Sequence, residues 1–257
     1  MIRTSIYVLM IALTFFQCAK AQAQQAKLET NKLSNSDSND GPAPKAIVIG
    51  ILGGFIKHDN IAHSEVQLAA RLRKTYPPDV RVDTFESYHE KRALKTVLRL
   101  IDANQDGVLS PEEKNNARIV IYGHSWGGSE AIILARDLNK RGVPVLLTIQ
   151  IDSVTKIHQN DAVIPANVAK AANFFQRNGH MHGQPKIRAA DSKRTTIIGN
   201  FEFDYQGIPY ACSGYPWYDR IFGKAHTQIE CDPKVWAQAE ALIRAELPPA
   251  KSPVSQP

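Results

Sequence analysis

A chain of 257 residues, 43% of them hydrophobic, is long enough to bury a full core, and a single α/β domain is the natural reading. The formal charge of +6 is spread along the chain and drops by two, to +4, if Arg3 and Lys20 leave with a cleaved leader. That mild, dispersed charge excludes a concentrated nucleic-acid patch and favours approach to anionic surfaces.

Residues 1–23 have the three parts of a secretory signal. Arg3 supplies the positive start, residues 6–16 form a compact apolar run, and Ala19-Lys20-Ala21 or Ala21-Gln22-Ala23 offers a cleavage site. The run is too short to span a bilayer, and no other stretch is apolar enough, so no transmembrane segment is expected in the mature chain. Cys18 raises the alternative of a lipid-modified cysteine, against which stands the bulky Phe15-Phe16-Gln17 before it. The predicted location is exported, periplasmic or secreted. Residues 24–44, rich in Gln, Asn, Ser and Asp, read as a flexible leader ahead of a domain over 45–247.

Residues 45–52 are an apolar, β-rich run ending in Gly53-Gly54-Phe55. Residues 63–74 then carry Val66, Leu68, Ala69 and Leu72 at helical spacing, and Tyr76-Pro77-Pro78 stops that helix. A strand over 80–85 and a helix over 90–101 follow. Strands alternating with helices imply parallel pairing through crossovers.

Residues 102–113 read D-A-N-Q-D-G-V-L-S-P-E-E, the spacing of an EF-hand calcium loop. Asp102, Asn104 and Asp106 supply side-chain oxygens, Gly107 makes the sharp turn, Val108 offers its carbonyl, Ser110 sits at position nine, and Glu113 is the closing carboxylate. A rival reading makes Ser110-Pro111-Glu112-Glu113 a capping box, which explains Ser110 and Glu113 but leaves Asp102, Asn104, Asp106 and Gly107 without a reason. The loop is single, so a structural Ca2+ bracing the next strand is expected rather than a calcium sensor.

Residues 118–122 form another short apolar strand, and helical periodicity starts at Ser129, with Ala131, Ile132, Leu134, Ala135 and Leu138 on one face. Between them lies Gly123-His124-Ser125-Trp126-Gly127, a G-x-S-x-G turn in which a strand must bend at once into a helix. Such a bend holds the serine at a strained backbone angle, needs glycine on both sides, and aims helix N–H groups at the hydroxyl. Set between a strand and a helix, this motif resembles the α/β-hydrolase superfamily of serine esterases, lipases and thioesterases, over most of residues 45–247.

Past Gly142, residues 143–151 are a near-continuous apolar strand delivering Asp152. Residues 153–192 read as an insertion with one helix over 165–176, before a strand at 195–199. An aromatic loop with Tyr210, Tyr215, Trp217 and Tyr218 leads to His226, and Asp232-Pro233 caps a last helix over 234–246. Residues 248–257 are a proline-containing loose tail. Cys212 and Cys231 remain after loss of Cys18 and are most simply a disulfide in an exported protein, the alternative being two free thiols. The bond would close a loop holding Pro216, Trp217 and His226.

The superfamily resemblance implies a three-layer α/β sandwich with a mostly parallel central sheet and a small lid insertion over the site. It implies a triad in the order serine, acid, histidine: Ser125 as nucleophile and His226 as base, because no other histidine follows the late strand. His58, His63, His89, His158, His180 and His182 then read as surface or pocket residues and His124 as packing. The acid is Asp152, 27 residues after Ser125 as in thioesterases, or Asp204 after the next strand; Asp152 is favoured for emerging directly from an apolar strand. The same resemblance puts the oxyanion donors at the backbone of Trp126 and of Gly54 or Phe55. The expected activity is hydrolysis of a small-molecule or lipid ester or thioester, without organic cofactor or nucleic-acid partner. The alternative is a calcium-stabilised, non-catalytic binding or scaffold protein on the same fold.

Overall fold

Strands that are covered on both faces read as unbroken apolar runs. The first strand shows this directly: A-I-V-I-G-I-L is buried at every position. In the computed structural model, which describes residues 43–157, 159–209, 212, 214–215 and 223–249, the elements run in chain order as β1 (Ala46–Leu52), α1 (Ser64–Thr75), β2 (Val80–Glu86), α2 (Glu90–Ile101), α3 (Pro111–Asn116), β3 (Ile119–His124), α4 (Trp126–Asn139), β4 (Val145–Ile151), β5 (Val163–Ile164), β6 (Val168–Phe175), β7 (Arg188–Ala189), β8 (Thr196–Glu202), α5 (Lys224–Cys231) and α6 (Pro233–Glu246). The signal segment, most of the leader, most of the tail, His158, Tyr210, Pro216, Trp217 and Tyr218 lie outside the described residues.

Six strands form one parallel sheet in the order β2-β1-β3-β4-β6-β8. Period-two alternation divides the core between its faces. Val48, Val120 and Tyr122 pack with Leu68 and Leu72 of α1, Ile229 of α5 and Trp236 and Ile243 of α6. Ile47, Ile49 and Ile121 pack on the other face with Val97 and Leu100 of α2 and Ile132 and Leu138 of α4. This is the three-layer α/β sandwich around a parallel central sheet expected from the sequence. After β2 the chain crosses to the other side of β1, so β1 and β3 leave a crevice at their carboxyl ends, where sheets of this type place ligands.

The segment 153–192 departs from expectation. Residues 168–175 are strand β6, not a helix, and they pair with β4 and β8 inside the main sheet. The segment is therefore no insertion outside the sheet; only the short β5–β7 pair stands apart from it. Alanine and lysine at 169–172 favour a helix in isolation, but Ala171, Ala172 and Phe174 are completely buried between neighbours on both faces, and that packing overrides propensity. Helix α5 is a further difference: the sequence suggested a loop up to His226, and His226 instead sits in the first turn of a helix.

Cys212 and Cys231 are joined by a disulfide, with Cα atoms 5.7 Å apart. It fastens the end of α5 to the preceding segment. Among the described residues no helix is long and apolar enough to cross a membrane. Closing a loop over a sequence separation of 19 restricts the unfolded chain, and replacing both cysteines by serine should lower unfolding stability by about 3 kcal/mol. Urea titrations of the variant, and of the native chain with and without reductant, measure this; coincident curves would contradict it.

Candidate active site

The elbow is set by contact between backbones. Ser125 takes φ 55° and ψ −126°, a conformation L-residues avoid, and α4 begins at the next residue. Its N–H donates to the Ile151 carbonyl at 3.0 Å, and its own carbonyl accepts from Gly128 and Val154 at 3.0 and 3.1 Å. A Cβ on Gly127 would stand 2.0 Å from the Ile51 carbonyl oxygen, and one on Gly123 would stand 2.4 Å from Gly127. Glycine is therefore required at both positions, as the motif suggested.

Ser125, His226 and Asp152 meet. Ser125 Oγ lies 2.9 Å from His226 Nε2, and His226 Nδ1 lies 2.7 Å from Asp152 Oδ2. Ser125 is part-exposed, whereas His226 is 4% and Asp152 0% exposed. The carboxylate is hydrogen-bonded on both oxygens: Gly183 N–H donates to Oδ1 at 2.7 Å, and the Gln176 side chain donates to Oδ2 at 2.8 Å. Gly183 must be glycine, since a Cβ there would lie 2.3 Å from the Asp152 carbonyl carbon. Gln176 and Gly183 went unrecognised in the sequence; they reach Asp152 from positions 24 and 31 residues away, and no local pattern announces such contacts.

Asp204 is exposed and makes a turn instead, accepting from Gln206 N–H and from Asn178, both at 2.9 Å. The Gln206 N–H, then Asn178, holds its carboxyl below the usual aspartate range. His58 and His89 both reach Glu86, and His180 and His182 are exposed.

Ser125 opens onto a cavity of about 560 Å³ that Gly54, Phe55, Trp126, Met181 and His226 also line. Its rim is apolar. Phe55 is 76% exposed and stands edge-on to Trp126 at 5.5 Å and 6.1 Å from Tyr88. Gly54 sits at φ 53° with open space around it, and its carbonyl accepts a hydrogen bond from Ser87 Oγ at 3.0 Å. That bond holds the peptide whose N–H belongs to Phe55, a contact the sequence did not reveal.

Behind the serine lies a buried polar cluster. Of the surface and pocket alternatives His63 takes the second: it is 1% exposed, lines the cavity, and its Nδ1 lies 2.6 Å from Glu230 Oε1. His124 packs against the His226 ring at 4.6 Å, and its Nδ1 is 3.4 Å from Glu230 Oε2 and 3.9 Å from Glu65 Oε1. Burial, then the charge of Glu230, pushes the Glu65 carboxyl up to about 8. Burial, then His226 and His63, holds His124 well below the usual histidine range.

In the loop 102–113 the capping box is formed: Ser110 Oγ accepts from Glu113 N–H, and Glu113 Oε2 accepts from Ser110 N–H. The side-chain oxygens also serve the loop's own backbone, Asp102 accepting from Gly107 N–H, Asn104 from Asp106 N–H and Asp106 from Val108 N–H. Glu113 Oε1 closes the loop on Ala103 N–H at 2.8 Å. Gly107 takes φ 80°, and Asp102 Oδ1 is buried without a hydrogen-bond partner, an oxygen suited to a cation.

No protein-family model and no curated protein matches the chain. Among solved structures it is similar to the RedJ thioesterase from the prodiginine biosynthetic pathway of Streptomyces coelicolor, at 9% identity and TM-score 0.43 over 80% of this chain and 93% of that one. It is also similar to a cutinase-like protein from Cryptococcus sp., at 9% identity and TM-score 0.42 over 80% and 98%. A third likeness is to a protein assigned to the α/β hydrolase superfamily from Xanthomonas campestris pv. campestris, at 12% identity and TM-score 0.37 over 78% and 99%.

The glycine contacts separate two kinds of requirement. Gly127→Ala drives a methyl group into backbone and should cost at least about 3 kcal/mol. Gly54→Ala meets only the strain of its dihedral and should cost about 1–2 kcal/mol. Thermal and urea unfolding of both variants give the comparison, and equal stabilities would contradict the packing.

Proposed function

We propose that the protein is a serine hydrolase that cleaves a carboxylic ester or thioester through an acyl-enzyme. The observation that carries this reading is the unbroken hydrogen-bond chain from the part-exposed hydroxyl of Ser125 through His226 to the buried carboxylate of Asp152, at 2.9 and 2.7 Å, beside an apolar-rimmed cavity. In the first half-reaction Ser125 Oγ attacks the acyl carbonyl as His226 Nε2 takes its proton, which then passes to the leaving alcohol or thiol. Asp152 holds the His226 Nδ1–H, fixing the tautomer and balancing the imidazolium that forms. In the second half-reaction His226 takes a proton from water, hydroxide attacks the acyl-enzyme, and the proton returns to Ser125 as the acid leaves.

Backbone N–H groups stabilise the oxyanion, from Trp126 at the start of α4 and from the loop after β1. Of Gly54 and Phe55, the Ser87 bond to the Gly54 carbonyl supports Phe55 as the donor. Phe55, Tyr88 and Trp126 suit the apolar part of a small-molecule or lipid ester. Export is proposed on the signal-like residues 1–23 together with the disulfide.

Three variants test the catalytic reading. Ser125→Ala should abolish hydrolysis of activated esters and labelling by a fluorophosphonate. Asp152→Asn should lower turnover by about 10⁴-fold. Asp204→Asn should leave turnover unchanged. Hydrolysis that survives Ser125→Ala, or follows Asp204 and not Asp152, would overturn the assignment.

The loop 102–113 is proposed to hold one structural Ca2+ through Asp102, Asn104, Asp106, the Val108 carbonyl and Glu113, supported by the buried oxygen of Asp102. Calcium at about a hundred times its dissociation constant should stabilise the fold by about 2.7 kcal/mol. Differential scanning calorimetry should show the unfolding midpoint rising with calcium in the native chain and not in Asp102→Ala; a midpoint indifferent to calcium counts against the ion.

A further inference from the structure

The geometry points to a second metal site: His63, Glu65, His124 and Glu230 are placed to bind one transition-metal dication of the zinc class at the inner wall of the cavity beside Ser125. His63, Glu65 and Glu230 each bring a ligand atom within 4.8 Å of the others. His124 Nδ1 stands 3.4 Å from Glu230 Oε2 and 3.9 Å from Glu65 Oε1. Ligand atoms around a tetrahedral ion with bonds of 2.0–2.1 Å stand about 3.4 Å apart, so binding would draw in groups now up to 4.8 Å apart and open the 2.6 Å contact between His63 and Glu230.

The second observation is what these groups lack. Glu65 is fully buried, and neither of its oxygens makes a hydrogen bond of good geometry, although the N–H groups of Gly53 and of Glu65 itself act on its carboxyl; His124 is 2% exposed, and neither ring nitrogen makes a well-formed hydrogen bond. Buried carboxylates are normally paired or coordinate a metal, so orphaned groups converging on one point call for a cation.

The donor set selects the kind of ion. Calcium and magnesium prefer cages made of oxygen and gain little from imidazole, whereas two imidazoles with two carboxylates suit zinc. The charges also balance, since two neutral imidazoles and two carboxylates around a dication sum to zero. An entry path exists, because His63, His124 and Glu230 all line the cavity.

The four ligands come from three elements. His63 precedes α1 and Glu65 lies in its first turn, His124 ends β3 one residue before Ser125, and Glu230 follows His226 by one turn of α5. A bound ion would fasten the helix carrying His226 to the strand carrying Ser125. Its role is positioning, and its binding does not depend on the hydrolase reading.

The test uses the full-length mature chain loaded with zinc and freed of excess by gel filtration, with metal content read by plasma mass spectrometry. One retained zinc per chain is expected, with a higher unfolding midpoint. Glu65→Gln and His63→Ala should lose both effects, while Glu113→Gln in the separate loop and Ser125→Ala should keep them. An anomalous difference peak at the zinc edge, in crystals of the loaded native chain, should fall among His63, Glu65 and Glu230. That readout stands even if the Glu65 variant fails to fold. No zinc above background, undiminished zinc in Glu65→Gln, or a peak on the His226–Asp152 pair would each overturn the site. Loss of activity in Ser125→Ala with zinc retained separates the two assignments.

Discussion

The first turn of α4 lies against the carboxyl end of β1 with no room for one additional carbon: a Cβ on Gly127 would come within 2.0 Å of the Ile51 oxygen and 2.6 Å of its carbon. Because the neighbour is main chain, no rotamer change could make space. The close approach forces the strand-to-helix bend onto a single residue, and within that bend Ser125 takes the positive φ. It also sets the first turn of α4 beside the Gly53-Gly54 loop, where a Cβ on Gly53 would lie 2.9 Å from that of Ser125. Strain, an exposed hydroxyl and a junction of two backbone segments thus have one steric origin.

Around this bend the fold buries an unusual number of polar groups at one end of the sheet. Asp152, Glu65, His63, His124, Glu230 and His226 are all at most 4% exposed. They are not equivalent. Asp152 is surrounded by donors on both oxygens, and its own backbone N–H donates to Phe174 at 2.7 Å, so its burial is compensated within the chain. Glu65 has much less compensation, although its helix is well anchored, with Tyr122 donating to its carbonyl at 2.9 Å. A carboxyl group buried among His63, His124 and Glu230 with so little hydrogen bonding is a feature folding alone does not favour. The contrast between two acids at similar depth separates a group satisfied by the chain from one with little compensation.

What could be read in the sequence follows the range of the interactions. The elbow was legible because its constraint is local: a tight bend demands glycine two residues either side of the serine. Asp152 was legible as a candidate because an apolar strand ends on it, and it lies 2.7 Å from His226, whereas the Asp204 carboxylate is engaged in a turn. Strand β6 was not legible. Its V-A-K-A-A-N-F-F has no alternation and a helix-forming centre, and only pairing with β4 and β8 decides its state. Gln176, Gly183 and Glu65 escaped for a related reason, since each becomes meaningful only after distant segments are brought together.

Helix α5 shows how the candidate site depends on such distant contacts. With eight residues it is too short to be stable alone, yet it must hold an imidazole between a hydroxyl and a carboxylate. Its position is imposed from several directions. Ala225 and Ile229 enter the core beside α6, Glu230 meets His63 across the start of α1, and Cys231 is bonded to Cys212. The next helix begins at once after Asp232, which caps it by accepting from Lys234 N–H at 2.8 Å while also accepting from Tyr205 at 2.9 Å. His226 and Glu230 are four residues apart and share one helix face, so whatever fixes Glu230 also fixes the His226 ring against Ser125. The imidazole's placement is thus inherited from the tethers of its helix more than from its own two hydrogen bonds.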